Sequence, residues 1–137
     1  MSELSEKIVE ILKDHAENQR SIHIIDEEIK AVDDTLVSIK SPRLDDVAVQ
    51  SGTSDPSGAI AYLLDVKEKL LQRRCVLLYK VRRVERALGR IEADESKILV
   101  ASFICPANRK DLNYSPAQFY KKRGDALGHF ARAYGFG

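Results

Sequence analysis

An all-α fold, a long antiparallel two-helix hairpin followed by a small C-terminal helical module, is predicted by three observations. Two apolar stripes of nearly equal length repeat at alternating three- and four-residue steps, in residues 4–39 and 60–91. A turn-rich segment, Ser51-Gly52-Thr53-Ser54-Asp55-Pro56-Ser57-Gly58, lies between them. After the second stripe, Ser115-Pro116-Ala117-Gln118 has the form of a helix-starting capping box.

The first stripe is Leu4, Ile8, Ile11, His15, Asn18, Ile22, Ile25, Ile29, Val32, Leu36 and Ile39, with no Gly or Pro inside it. Its flanks are mostly charged, so a helix to about Lys40 is expected, stopped by Pro42. His15 and Asn18 are consecutive polar members of the stripe, of the kind that sets register or oligomeric state. No Cys or carboxylate cluster accompanies His15 at metal-ligand spacing, which favours a structural role over a ligand or a pH switch.

A linker over 41–58 follows, with Ser54 or Asp55 expected to cap the second helix and Pro56 in its first turn. The second stripe is Ile60, Leu63, Lys67, Leu70, Arg74, Leu77, Val81, Val84, Leu88 and Ile91. Leu64, Val66, Leu71 and Leu78 widen it. One connecting loop and opposite charge favour antiparallel pairing. With Ile39 near Ile60, Val32 falls near Lys67 and Ile25 near Arg74. The two basic stripe residues then face the acidic runs Asp26-Glu27-Glu28 and Asp33-Asp34. A hairpin of two helices leaves part of so wide an apolar face open, so self-association as a homodimer or higher assembly is expected. Residues 1–92 are therefore read as a helical hairpin that oligomerises.

Residues 93–137 form the C-terminal module. A helix is expected from Asp94 to about Ile104, closed by Pro106, then at most one short turn over residues 108–113. The last helix should run from Pro116 to about Tyr134, with Phe119, Arg123, Ala126, Leu127, Phe130 and Tyr134 following at three- and four-residue steps so that one aromatic-rich face is buried. Its first turns carry Gln118, Tyr120, Lys121, Lys122 and Arg123, after Arg109 and Lys110 in the preceding turn. Amides and guanidinium groups read base edges and lysines neutralise phosphate, which makes these seven residues the candidate contacts to duplex DNA. The plainer alternative is a solvated face of a small helical cap.

The net charge of +1 hides segregation along the chain. Residues 1–40 carry ten acidic and five basic side chains, whereas residues 56–92 carry nine basic and four acidic. Residues 106–137 carry six basic against two acidic, a free cationic tail suited to a polyanion.

Other classes are disfavoured. The three histidines, His15, His23 and His129, are far apart, neither Cys75 nor Cys105 lies in a nucleophile motif, and Gly52 and Gly58 lack the strand and Lys of a phosphate loop. No enzyme activity, metal or cofactor is expected. No apolar run reaches the roughly 20 residues of a membrane span, and the start, Met1-Ser2-Glu3-Leu4-Ser5-Glu6, lacks the features of a signal peptide. With both cysteines expected reduced, a cytoplasmic setting without membrane partners is the expectation.

Two stretches resemble the small phage transcriptional regulators of the RinA/ArpU-like group. Val49 to Gly58 resembles their linker between two long helices. Asn113-Tyr114-Ser115-Pro116-Ala117-Gln118-Phe119-Tyr120, with Gly124-Asp125-Ala126-Leu127, resembles the start of their last helix. The resemblance implies a helical hairpin ahead of a helix-turn-helix similar to region 4 of sigma factors, in proteins that switch on late or packaging genes in the host bacterial cell. The helix starting at Ser115 would be the recognition helix. Where the group has a full positioning helix, the stretch from Ile104 to Asn113 has room for barely one turn, a shortened or degenerate form. A phage-encoded adaptor or inhibitor that grips a host protein with the hairpin, and a small terminase subunit, are the competing functions.

Overall fold

A computed structural model of the chain describes residues 3–40 and 56–136. It is all-α, with no strand among the described residues. Helix α1 spans Glu3–Lys40 and α2 spans Pro56–Arg90. Helix α3, Ala93–Leu99, runs on into one π turn, Val100–Ile104. A short 3-10 helix, Pro106–Asp111, precedes helix α4, Pro116–Tyr134. The expected cap at Ser54 or Asp55 lies outside the described residues, as do Pro42 and most of the linker. By its contacts the chain divides into two compact units, Ser21–Leu77 and Met1–Arg20 with Leu78–Gly137.

In the Ser21–Leu77 unit the pairing of α1 with α2 is antiparallel, and two ion pairs define its register. Arg74 Nε donates to Asp26 Oδ1 at 2.6 Å, and Lys67 Nζ lies 2.7 Å from Asp33 Oδ1. As the number rises by seven on one helix it falls by seven on the other. Along the seam Ile25 and Leu36 are buried, while Ile22, Ile29, Val32, Leu63, Leu70 and Leu77 are half-buried. Every described α1 and α2 stripe residue in this unit is thus at least partly removed from water, including the two cations. Leu64 and Leu71, which widen the stripe, stay 48% and 46% exposed because two helices cannot enclose a face that broad.

In the other unit the same register brings His15 of α1 level with Glu85 of α2, whose charge acts on the imidazole. Here the hairpin does not stand alone. Ile8 and Leu12 of α1 and Val84 and Ala87 of α2 form one core with Leu99 of α3 and Ala126, Phe130 and Ala131 of α4. Phe103, Ile104, Leu127 and Tyr134 pack around it. Burying a side chain such as Phe130 contributes about 2–3 kcal/mol. Helix α3 was expected as a plain α-helix to Ile104; its last turn instead widens, with Cys105 N–H donating to Val100 O at 2.7 Å. Pro106 has no N–H to continue the ladder, so the chain leaves the helix there.

Candidate nucleic-acid interface

Helix α4 is set by its two ends. At the start, Ser115 Oγ accepts from the Gln118 backbone N–H and Gln118 Oε1 accepts from the Ser115 backbone N–H, each at 3.3 Å, with Pro116 in the first helical position. This reciprocal cap satisfies two amide donors that a helix start otherwise leaves unpaired. At the finish, Gly135 takes φ +120°, a conformation that side chains with Cβ rarely adopt, and its N–H and that of Phe136 both donate to Ala131 O. Between the ends, Phe119, Ala126, Phe130 and Ala131 are buried, which fixes which side of the helix faces out.

The seven predicted contact residues divide between different faces. Gln118, Lys121 and Lys122 are exposed, as are Asp125, His129 and Arg132; Gln118, Lys121, Asp125 and Arg132 point away from the core, whereas Lys122 and His129 lie on the flank toward α3. The side-chain oxygen of Gln118 is committed to the cap, which leaves its amide NH2 as the outward donor. Lys122 Nζ lies 4.9 Å from the centre of the Tyr114 ring. Lys110 is exposed on the 3-10 helix.

Tyr120 and Arg123 sit on another side of α4 and line an open cleft of about 290 Å³ with Leu4, Ile8, Gly124 and Leu127. Arg123 is half-buried, its guanidinium 4.8 Å from the Tyr120 ring centre and 5.7–5.8 Å from those of Phe103 and Phe119. Arg109 approaches Phe119 to 4.8 Å. Cations over aromatic faces are attracted by the ring quadrupole, so Arg109 and Arg123 tie the 3-10 helix and the π turn to α4. Their charge adds to the field near α4, but their geometry is taken up by packing.

Two further contacts hold α4 in place. His129 Nδ1 lies 2.5 Å from Glu95 Oε2, while Glu95 Oε1 accepts from the Glu92 N–H and closes the cap of α3. Arg83 of α2 donates from Nη2 to Tyr134 O at 3.1 Å and stacks 4.0 Å from the Tyr134 ring centre.

The basic residues that sequence reasoning passes over are on α2. Lys67 and Arg74 are neutralised across the pair, as their spacing predicts, and Lys69 pairs with Asp65 of its own helix. Arg82, Arg86 and Arg90 are exposed, and among the described residues no ion pair engages them. Their signal is a strict four-residue spacing off the apolar stripe.

Among the described residues there is no group of three or more His, Cys, Asp or Glu that could hold a metal ion, and no helix is long and apolar enough to cross a membrane. Comparison with models of known protein families, with curated proteins and with solved structures finds no match to this chain.

Proposed function

We propose that this chain is a DNA-binding transcriptional regulator of phage or prophage origin, acting on late or packaging genes, with α4 as its recognition helix. One observation carries the reading: Gln118, Lys121 and Lys122 are all exposed in the first turns of a doubly capped helix whose apolar side is locked into a core. A rigid helix with an amide donor and two cations near its N-terminus is the form that enters a major groove. The resemblance of Asn113–Leu127 to the last helix of the RinA/ArpU-like regulators supports the same role. In this reading the 3-10 helix would stand for the positioning helix, with Arg109 bracing it against Phe119.

Selection from a pool of random duplexes tests this reading. Wild type should enrich a sequence motif, and a Lys121→Ala, Lys122→Ala variant should lose most of the enrichment. Arg123 is left intact because its removal would disturb packing as well as charge. A wild type that retains duplexes without enriching any sequence, or retains none, would count against a recognition helix.

A second reading is favoured by a separate observation. Leu64 and Leu71 of α2, one heptad apart on one side of the helix, are 48% and 46% exposed, more apolar surface than a lone hairpin needs to show water. A second copy packed there would make a dimer of the expected kind; a host protein packed there would make the chain an adaptor or inhibitor. Sedimentation of the purified chain separates the two, since only self-association gives a concentration-dependent mass.

A further inference from the structure

Between Tyr79 and Arg90, helix α2 carries Lys80, Arg82, Arg83, Arg86 and Arg90 against the single acidic residue Glu85. The inner side of these turns is sealed, with Val81, Val84 and Ala87 no more than 5% exposed. Burial therefore dictates where the arginines point. Arg83 is drawn off to Tyr134. Arg82, Arg86 and Arg90, at successive four-residue steps, stay exposed along one side. The register brings Asp14 and Glu10 of α1 level with Arg86 and Arg90, yet no ion pair joins them. The reason is direction: the arginines lie on the far side of α2 from the seam.

We infer that Arg82, Arg86 and Arg90 form a second contact surface, a phosphate-binding stripe that engages the backbone of the same duplex α4 reads. This rests on the DNA-binding reading and adds a site on a different helix. Guanidinium forks match phosphate oxygens in a two-bond geometry that ammonium groups do not offer, and the three cations spaced along this side are all arginines. The three Cα atoms span about 12 Å at 1.5 Å per residue. One DNA strand presents roughly three to four phosphates over that distance, at about 3.4 Å each. A lipid surface fits less well, since a helix lying on a membrane inserts an apolar side, and the apolar side here is closed in the core. The Arg83 clamp on Tyr134 joins this part of α2 to the end of α4, so both surfaces belong to one packed unit. Phosphate contacts position a protein and base contacts specify its site, a division of labour that assigns the stripe to the first task.

The test is titration of a labelled mixed-sequence duplex with the full chain between about 50 and about 300 mM salt. Wild type is compared with an Arg82→Gln, Arg86→Gln, Arg90→Gln variant, the corresponding Arg→Lys variant, and Lys121→Ala, Lys122→Ala. Circular dichroism checks that each remains helical. Each lost phosphate contact lowers the slope of log affinity against log salt by about 0.9, so the Gln variant should lose nearly three units of slope. It should also bind roughly 30-fold or more weakly at about 100 mM salt, equally for every duplex sequence. The Lys variant should keep most of the slope. A Gln variant with wild-type slope and affinity overturns the stripe while leaving the α4 reading intact. Failure of wild type to bind any duplex removes the DNA reading itself. Loss of binding to phosphatidylserine vesicles in the Gln variant, with duplex binding unchanged, assigns the stripe to a membrane and overturns the inference.

Discussion

Arg74 reaches across the hairpin to Asp26, its Nε donating to the carboxylate at 2.6 Å. Lys67 repeats the contact with Asp33 one heptad away. All four side chains keep between 33% and 47% of their surface in water, so screening limits each pair to under about 1 kcal/mol. Their value is in alignment, because a slip by one heptad in either direction would take one of the two cations off its carboxylate. Reversing one charge, Asp26→Arg, should lower stability by about 1 kcal/mol, and adding Arg74→Asp should restore most of it. A double-mutant cycle on thermal midpoints measures this, and absence of rescue would mean that the pair does not fix register.

Burial at 4% exposure pushes the His15 imidazole below its usual value of 6.5, and the Glu85 charge opposes the shift without cancelling it. The folded protein therefore resists a proton that the unfolded chain accepts. The associated stability is fully present above about pH 6.5 and is lost as pH falls through the window below it. His15 Nδ1 also has no hydrogen-bond partner. His15→Leu should stabilise by about 1 kcal/mol at pH 8, and its advantage over wild type should grow between pH 6.5 and pH 5. Urea midpoints across that range check the sign; a constant difference would contradict it.

The ends of α4 should be separately sensitive. Ser115→Ala removes the hydroxyl that accepts from Gln118 N–H and should cost about 1 kcal/mol. Gly135→Ala forces a Cβ into a backbone at φ +120°, 3.4 Å from the Arg83 guanidinium, and should cost about 1–2 kcal/mol. Amide exchange near residues 131–136 should accelerate in the second variant and not in the first.

Much of this arrangement is legible in the sequence. Lys67 and Arg74 interrupt an apolar stripe one heptad apart, and of the registers related by whole heptads only one gives both an acidic partner. The cap at Ser115 and the end of α4 near Tyr134 follow from local rules that depend on a few adjacent residues. The functional face is less legible, because a list of basic residues does not say which are occupied. Arg123 falls on the stripe of the last helix and also among the candidate DNA contacts, and only the rings of Phe103, Phe119 and Tyr120 around it decide between the two; those contacts join residues up to 20 positions apart. Arg82, Arg86 and Arg90 read as partners for an acidic first helix until their direction is known. The clamp of Arg83 on Tyr134 and the bridge of Glu95 to His129 are tertiary contacts with no local signal.

The core that supports α4 should respond as one body. Phe130 is fully buried among Ile8, Leu12, Val84 and Leu99. Phe130→Ala should cost about 3–5 kcal/mol, and Leu12→Ala about 2–5 kcal/mol. Both should abolish duplex binding through loss of the α4 fold although neither side chain is exposed to DNA. Near-ultraviolet dichroism, which reports the Tyr134 and Phe136 stack, checks that binding and packing fail together.

Affinity of the intact chain for mixed duplex DNA at about 50 and about 200 mM salt tests the central claim most directly. Five phosphate contacts, from Lys121, Lys122, Arg82, Arg86 and Arg90, give a slope near −4.5, so this fourfold rise in salt should weaken binding several-hundred-fold. No binding at the lower salt, or an affinity that does not change with salt, would contradict it.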